Sequence, residues 1–227
     1  MYKIVLLSVF SLPLFAGFFP STVHTSVQSV NDTSIMLQKP FMHNGMTAVV
    51  VHSYDKTLHA INSRLTQTGL DGTSILISAD IIHHDELPTV KTTVRKGDKV
   101  IGGYLYNNVL VLAPDADTYA RVTKSYNKKW IHPDLFALYL SVEGEGRATK
   151  ANLLHFAKKY QVGLIYIVHK DSEVLLDPIS GVVIAKKARI GSVSQGKFPF
   201  YMRFDSIESG WFGGSETGNY YQAVGAL

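Results

Sequence analysis

KVIGGYLYNNVLVLAPD, residues Lys99 to Asp115, is the stretch where the hydrophobic period of this chain changes. Lys99 to Tyr106 and Val109 to Leu112 both have strand composition and are separated only by Asn107-Asn108. Asparagine tolerates positive φ better than most residues, so the spacing predicts a tight hairpin. After Pro114 the short apolar runs give way to a helical period, which puts a seam there.

Before the seam, from Thr25 to Ala113, the pattern is one of short β-branched or alternating segments. Thr47 to His52 contains Ala48-Val49-Val50-Val51, Thr73 to Ser78 contains Ile75-Leu76-Ile77, and Val90 to Val94 is mostly β-branched. Several short strands joined by Gly, Asp and Pro turns predict a small barrel or sandwich.

After the seam, Asp115 is placed to cap a helix with Tyr119, Val122 and Tyr126 on one face. His132-Pro133-Asp134 opens a second helix, with Leu135, Leu138, Tyr139 and Val142 as its apolar stripe. Gly144 and Gly146 end it. A third runs from Thr149 to Tyr160 over Leu153, Phe156, Ala157 and Tyr160, and Val162-Gly163 leads into the buried strand Leu164 to Val168. Val174-Leu175-Leu176 and Val182-Val183-Ile184 flank a turn, and Phe198, Phe200, Met202 and Phe204 alternate as in a further strand. The expected class is α+β: a β-rich barrel or sandwich over 17–113, then an α/β half over 114–227 with about three helices and a mixed or antiparallel sheet.

The first sixteen residues pair Lys3 with an apolar run from Ile4 to Phe15 and end at Ala16, the layout of a secretory signal peptide. That run is too short for a membrane-spanning helix, and no later stretch qualifies. The mature chain is therefore expected in the periplasm or at the cell surface. It holds no cysteine, so disulfides and a lipobox anchor are both excluded and packing alone must stabilise it. Removing Lys3 leaves 21 basic against 18 acidic side chains, with no concentrated basic stripe of the kind nucleic-acid binding needs.

Catalytic signatures are missing. His83-His84-Asp85-Glu86 is the densest polar cluster, but neighbouring strand residues face opposite sides and cannot readily chelate one ion. Gly191 to Gly196 lacks the spacing of a nucleophile elbow, and Gly213 to Gly218 lacks the Lys-Ser/Thr ending of a phosphate loop. Lys96-Gly97-Asp98 reads as a turn, and Asp205 with Glu208 as a solvated pair. Trp130, Trp211, Phe212, Tyr220 and Tyr221 are candidates for an aromatic recognition patch. No catalytic residue, cofactor or metal ligand is assigned.

Arg95-Lys96-Gly97-Asp98, Asn107-Asn108, Leu112-Ala113-Pro114, Tyr119, Asp134-Leu135, Val162-Gly163 and Ile165-Tyr166-Ile167-Val168 occur here in one order, followed by Pro199-Phe200, Arg203 and Asn219-Tyr220. In this the chain resembles the N-terminal domain of bacterial plasminogen-binding protein A. The resemblance implies an exported, non-enzymatic binding protein able to capture host plasminogen, a lysine ammonium entering the anionic, aromatic-lined slot of a kringle. Larger family members carry a Lys- and Glu-rich tail ending in lysine, whereas this chain ends Ala226-Leu227. That leaves Lys128, Lys129, Lys158, Lys159, Lys186 and Lys187 as candidate binding residues. The alternatives are a periplasmic structural or assembly factor with no plasminogen role, and an enzyme with an unfamiliar site.

Overall fold

In the computed structural model the described residues are 17–77, 92–143, 147–189, 196–205, 207 and 218–227. The expected signal peptide, Val90 and Lys91 of the strand expected over Val90 to Val94 (Thr92 to Val94 form no strand), His83 to Glu86, the Gly144 and Gly146 helix stop, Gly191 to Gln195, Glu208, Trp211, Phe212 and Gly213 to Thr217 lie outside them.

Six strands make a closed barrel: β1 (Val23–Asn31), β2 (Ser34–Leu37), β3 (Thr47–Ser53), β4 (His59–Gln67), β5 (Thr73–Ile77) and β6 (Lys99–Gly102). Their order is β1-β2-β5-β4-β3-β6, and β6 pairs with β1 to close the ring. All pairs are antiparallel. Alternation along each strand sends Val27, Ile35, Ala48, Val50, Leu65 and Val100 into the core. Closure leaves no exposed strand edge.

The chain then passes to a second sheet. It comprises β7 (Asn108–Leu112), β8 (Lys129–Ile131), β9 (Leu164–Val168), β10 (Ser172–Asp177) and β11 (Val182–Ala188), in the order β11-β10-β9-β7-β8. β7 is parallel to both β8 and β9, while β9, β10 and β11 run antiparallel. The sheet is mixed and the fold is α+β.

The hairpin expected at Asn107-Asn108 does not form. Both sides of β6 are taken by β1 and β3, so it offers no edge to β7. Gly103 instead adopts a left-handed φ of 67° and starts a turn, closed by Tyr106 N–H donating to Gly103 O, that carries the chain out of the barrel.

Among the described residues four helices complete the fold: α1 (Ala116–Ser125), α2 (Pro133–Val142), α3 (Lys150–Tyr160) and α4 (Tyr220–Val224). Asp115, His132, Thr149 and Asn219 cap their N-termini with side-chain acceptors. The α2 stripe differs from the expected one. Leu138 is 53% and Val142 72% exposed, while Phe136, Ala137, Tyr139 and Leu140 are buried. The helix is apolar on nearly every side, so its period does not single out the buried face.

The central strands are buried on both faces. Leu110, Leu112, Ile165, Ile167, Val174 and Leu176 pack against α2, α3 and α4. Val109, Val111, Leu164, Tyr166 and Leu175 share their core with Val122 of α1 and the barrel interior. Gly163 makes this join close, since a Cβ there would lie 2.1 Å from Leu105 O.

The strand expected through Phe198 to Phe204 is absent: those residues take bends. Pro199 has no N–H for a ladder. Phe200 and Met202 still reach the core, but Phe204 is 48% exposed. The segment lies across the end of β7, with Lys197 N donating to Pro114 O and Tyr201 N to Ala113 O.

Candidate partner-binding site

Strand order reverses between β7 and β9, and in sheets of this kind ligands favour the crevice beyond the carboxyl ends at that point. Here the chain fills it. Residues 196–205 cross the end of β7, and the buried Tyr220 hydroxyl donates to Leu112 O at 2.7 Å. Among the described residues, no group of three or more His, Asp or Glu side chains is placed to share a metal ion.

The six candidate lysines separate into distinct environments. Lys187 is half-buried and fully engaged. Its ammonium sits 2.8 Å from Glu173 Oε2 and donates to Tyr126 Oη at 2.7 Å, beneath the rings of Phe18 (4.7 Å) and Tyr126 (5.2 Å). Burial opposes its charge, but the Glu173 and Tyr126 contacts together outweigh this and raise its pKa. Lys128 joins the same aromatic patch from β8's approach, 4.6 Å from the Phe19 ring centroid. Desolvation lowers its pKa. Lys129 and Lys186 are exposed on β8 and β11. Lys158 and Lys159 are exposed in the last turn of α3, where Lys159 forms an ion pair with Glu143 at the end of α2. The fold thus unites Lys128 with Lys187, and Lys158 with Lys159, and keeps Lys129 and Lys186 apart from both pairs.

The expected aromatic patch is not one surface. Trp130 belongs to the Phe18–Phe19 cluster and donates its Nε1–H to Thr123 O at 3.1 Å. Tyr220 is buried in the core on the opposite side of the sheet. In Lys96-Gly97-Asp98, Asp98 is 8% exposed and lies 2.7 Å from His52 Nδ1. It also accepts from Arg95 N at 2.8 Å, so the tripeptide is a structural turn.

Two polar centres were not singled out from sequence. Glu173, 2% exposed, accepts from Arg121 Nη2 at 2.8 Å and from the Tyr166 hydroxyl, besides Lys187. Burial alone would raise its pKa, but these donors bring it down to about 2. Asp177, fully buried, accepts from Thr47 Oγ1 (2.6 Å), Tyr106 Oη (2.7 Å), Ile179 N (2.9 Å) and Ser180 N (3.1 Å). Burial raises its pKa in spite of those donors. The available signal was an acid at each end of the apolar run Val174-Leu175-Leu176, in a strand with both faces covered.

The profile of the family described as plasminogen-binding protein PgbA N-terminal matches residues 22–226. The chain belongs to this PgbA N-terminal family. Plasminogen-binding proteins PgbA from two Helicobacter pylori strains are each 30% identical to it over 148 residues. That match covers 62% of this chain and 32% of the relative, so the PgbA-family chain corresponds to about a third of the length of these relatives. No solved structure matches it. At family level the role is that of a binding protein. No helix among the described residues is long and apolar enough to cross a membrane.

Proposed function

We propose that this chain is an exported, non-catalytic binding module that captures plasminogen through exposed lysines at the end of α3. Family membership across residues 22–226 is the observation that carries the reading. The geometry supports one site within it. A kringle slot accepts an ammonium together with a negative charge, which an internal lysine must borrow from a neighbour. Lys159 and Glu143 supply both charges at the surface, their side chains 50% and 44% exposed, with Lys158 alongside. Lys187 has its carboxylate as well, but Glu173 is buried and Lys187 is committed to it and to Tyr126.

Surface plasmon resonance on immobilised plasminogen is the test. Binding displaced by ε-aminocaproate and weakened about tenfold in a Lys158→Ala/Lys159→Ala variant is expected, in line with loss of a charge-assisted contact. Lys186→Ala should bind as the unsubstituted chain does. Binding that the lysine analogue cannot displace sinks the proposal. The second reading, a periplasmic structural or assembly factor, draws on the internal use of Lys128 and Lys187. It predicts no displaceable plasminogen binding and protection from protease on intact cells.

A further inference from the structure

β3 and β4 outrun the rest of the barrel. The last rung of β3 with β6 is Val51–Lys99, and the last of β4 with β5 is Arg64–Ile77. Beyond those rungs, among the described residues, the two strands pair only with each other, and every residue from Ser53 to Ile61 is exposed. A two-stranded hairpin standing alone in water is marginal, and this one is held by polar contacts of its own. Tyr54 N donates to Leu58 O at 2.9 Å, and the Asp55 carboxylate accepts from Thr57 N (2.6 Å), Thr57 Oγ1 (2.9 Å) and Leu58 N (2.7 Å). The Tyr54 hydroxyl shares a hydrogen bond with Thr92 Oγ1 at 2.6 Å, which ties the tip to the segment leading into β6.

This ribbon presents Tyr54, Leu58 and Ile61 to solvent. Lys56 stands at its tip, and Arg95, Lys96 and Lys99 belong to the adjoining turn and strand. All four cations are exposed, and among the described residues none is in an ion pair. Arg121, Lys159, Lys187 and Arg203, by contrast, each meet a carboxylate. Asp98 is buried against His52, so Asp55 is the only exposed acid within residues 53–61 and 94–99. The surface is therefore apolar at three side chains and cationic around them. Three apolar side chains are too few for the core of a standard protein interface, which buries about 800 Å² on each side. They suit shallow entry into a lipid headgroup layer, where tyrosine and aliphatic side chains flanked by Lys and Arg are stable.

We propose that the β3–β4 tip docks the barrel onto an anionic phospholipid surface. Tyr54, Leu58 and Ile61 enter the headgroup layer, and Lys56, Arg95, Lys96 and Lys99 meet the lipid phosphates. The contact is peripheral, so removing cations or raising salt weakens it. It uses none of the lysines of α3 and stands or falls separately from plasminogen capture.

The test uses residues 17–227, which keep every described element and leave out the apolar run from Ile4 to Phe15. The chain is co-sedimented with vesicles of phosphatidylcholine alone and of phosphatidylcholine mixed with phosphatidylglycerol. Binding to the mixed vesicles only, lost at high salt, is expected. Arg95→Gln/Lys96→Gln should weaken it about twentyfold, at about fivefold for each cation. Lys150→Gln/Lys170→Gln takes the same charge from exposed sites in the sheet half and should bind as the unsubstituted chain does. The chain has no cysteine, so Leu58→Cys and Leu138→Cys can each carry a polarity-sensitive fluorophore. Its emission should shift to the blue on mixed vesicles at position 58 and stay unchanged at position 138. Absence of binding to the mixed vesicles overturns the proposal and leaves the tip to a protein partner. Equal binding to phosphatidylcholine alone overturns it too, as does equal loss in the two double variants or an equal shift at both labels. Should the Leu58→Cys chain not fold, the two charge variants still decide.

Discussion

Glu173 keeps its charge where an isolated carboxylate would lose it. Three donors on three elements, Arg121, Tyr166 and Lys187, converge on it. Its folded pKa of about 2 lies below the ordinary 4.5, so it favours the folded state above the ordinary value. That contribution is on the order of 3 kcal/mol at neutral pH and disappears as pH falls from about 4.5 towards 2. Denaturant titrations at a series of pH values should show Glu173→Gln losing about 3 kcal/mol near neutrality, with the gap narrowing through this acid window. A gap that stays constant would refute the assignment. Asp177 acts with the opposite sign. Its pKa is raised by burial, so its protonated form is favoured in the fold, and its contribution falls as pH rises above the ordinary carboxylate value. Neither acid could be assigned such a role from sequence, because their partners lie on strands and helices far along the chain.

Among the elements, α2 separates what period can decide from what packing decides. Its start was legible, since His132 caps it and Pro133 takes the first helical position. Its buried side was not, because apolar residues surround the helix and only the position of α3 and the sheet selects Phe136 and Leu140 over Leu138 and Val142. Phe136→Ala is therefore expected to cost about 4 kcal/mol, and Val142→Lys less than about 0.5 kcal/mol. Chemical denaturation of the two variants measures both, and a large loss on Val142→Lys would restore the expected stripe. The hairpin failed for a related reason. Asn107-Asn108 carries a real turn preference, but barrel closure between β6 and β1 leaves β6 no free side on which a hairpin could be built.

Across the whole molecule, the barrel and the sheet share one hydrophobic cluster, from Ile35 and Leu65 through Tyr106 to Tyr166 and Leu175. Asp177 adds a polar tie by bonding to Thr47 of β3 from the end of β10. Urea unfolding should therefore be a single transition, with far-UV circular dichroism and the fluorescence of Trp130 in a Trp211→Phe background giving the same midpoint. Two separated midpoints would show that barrel and sheet unfold independently. The amino-acid sequence by itself determined the α+β class, the helix starts at Asp115, His132 and Thr149, the doubly buried strand at Leu164 to Val168 and the family. Each of these rests on local chemistry or on residue order along the chain. Tertiary structure alone decided that the strands close into a ring, that Lys187 is committed to Glu173 and Tyr126 while Lys158 and Lys159 stand exposed, and that Glu173 meets its three donors. Those outcomes depend on which distant surfaces meet, and no local pattern encodes that.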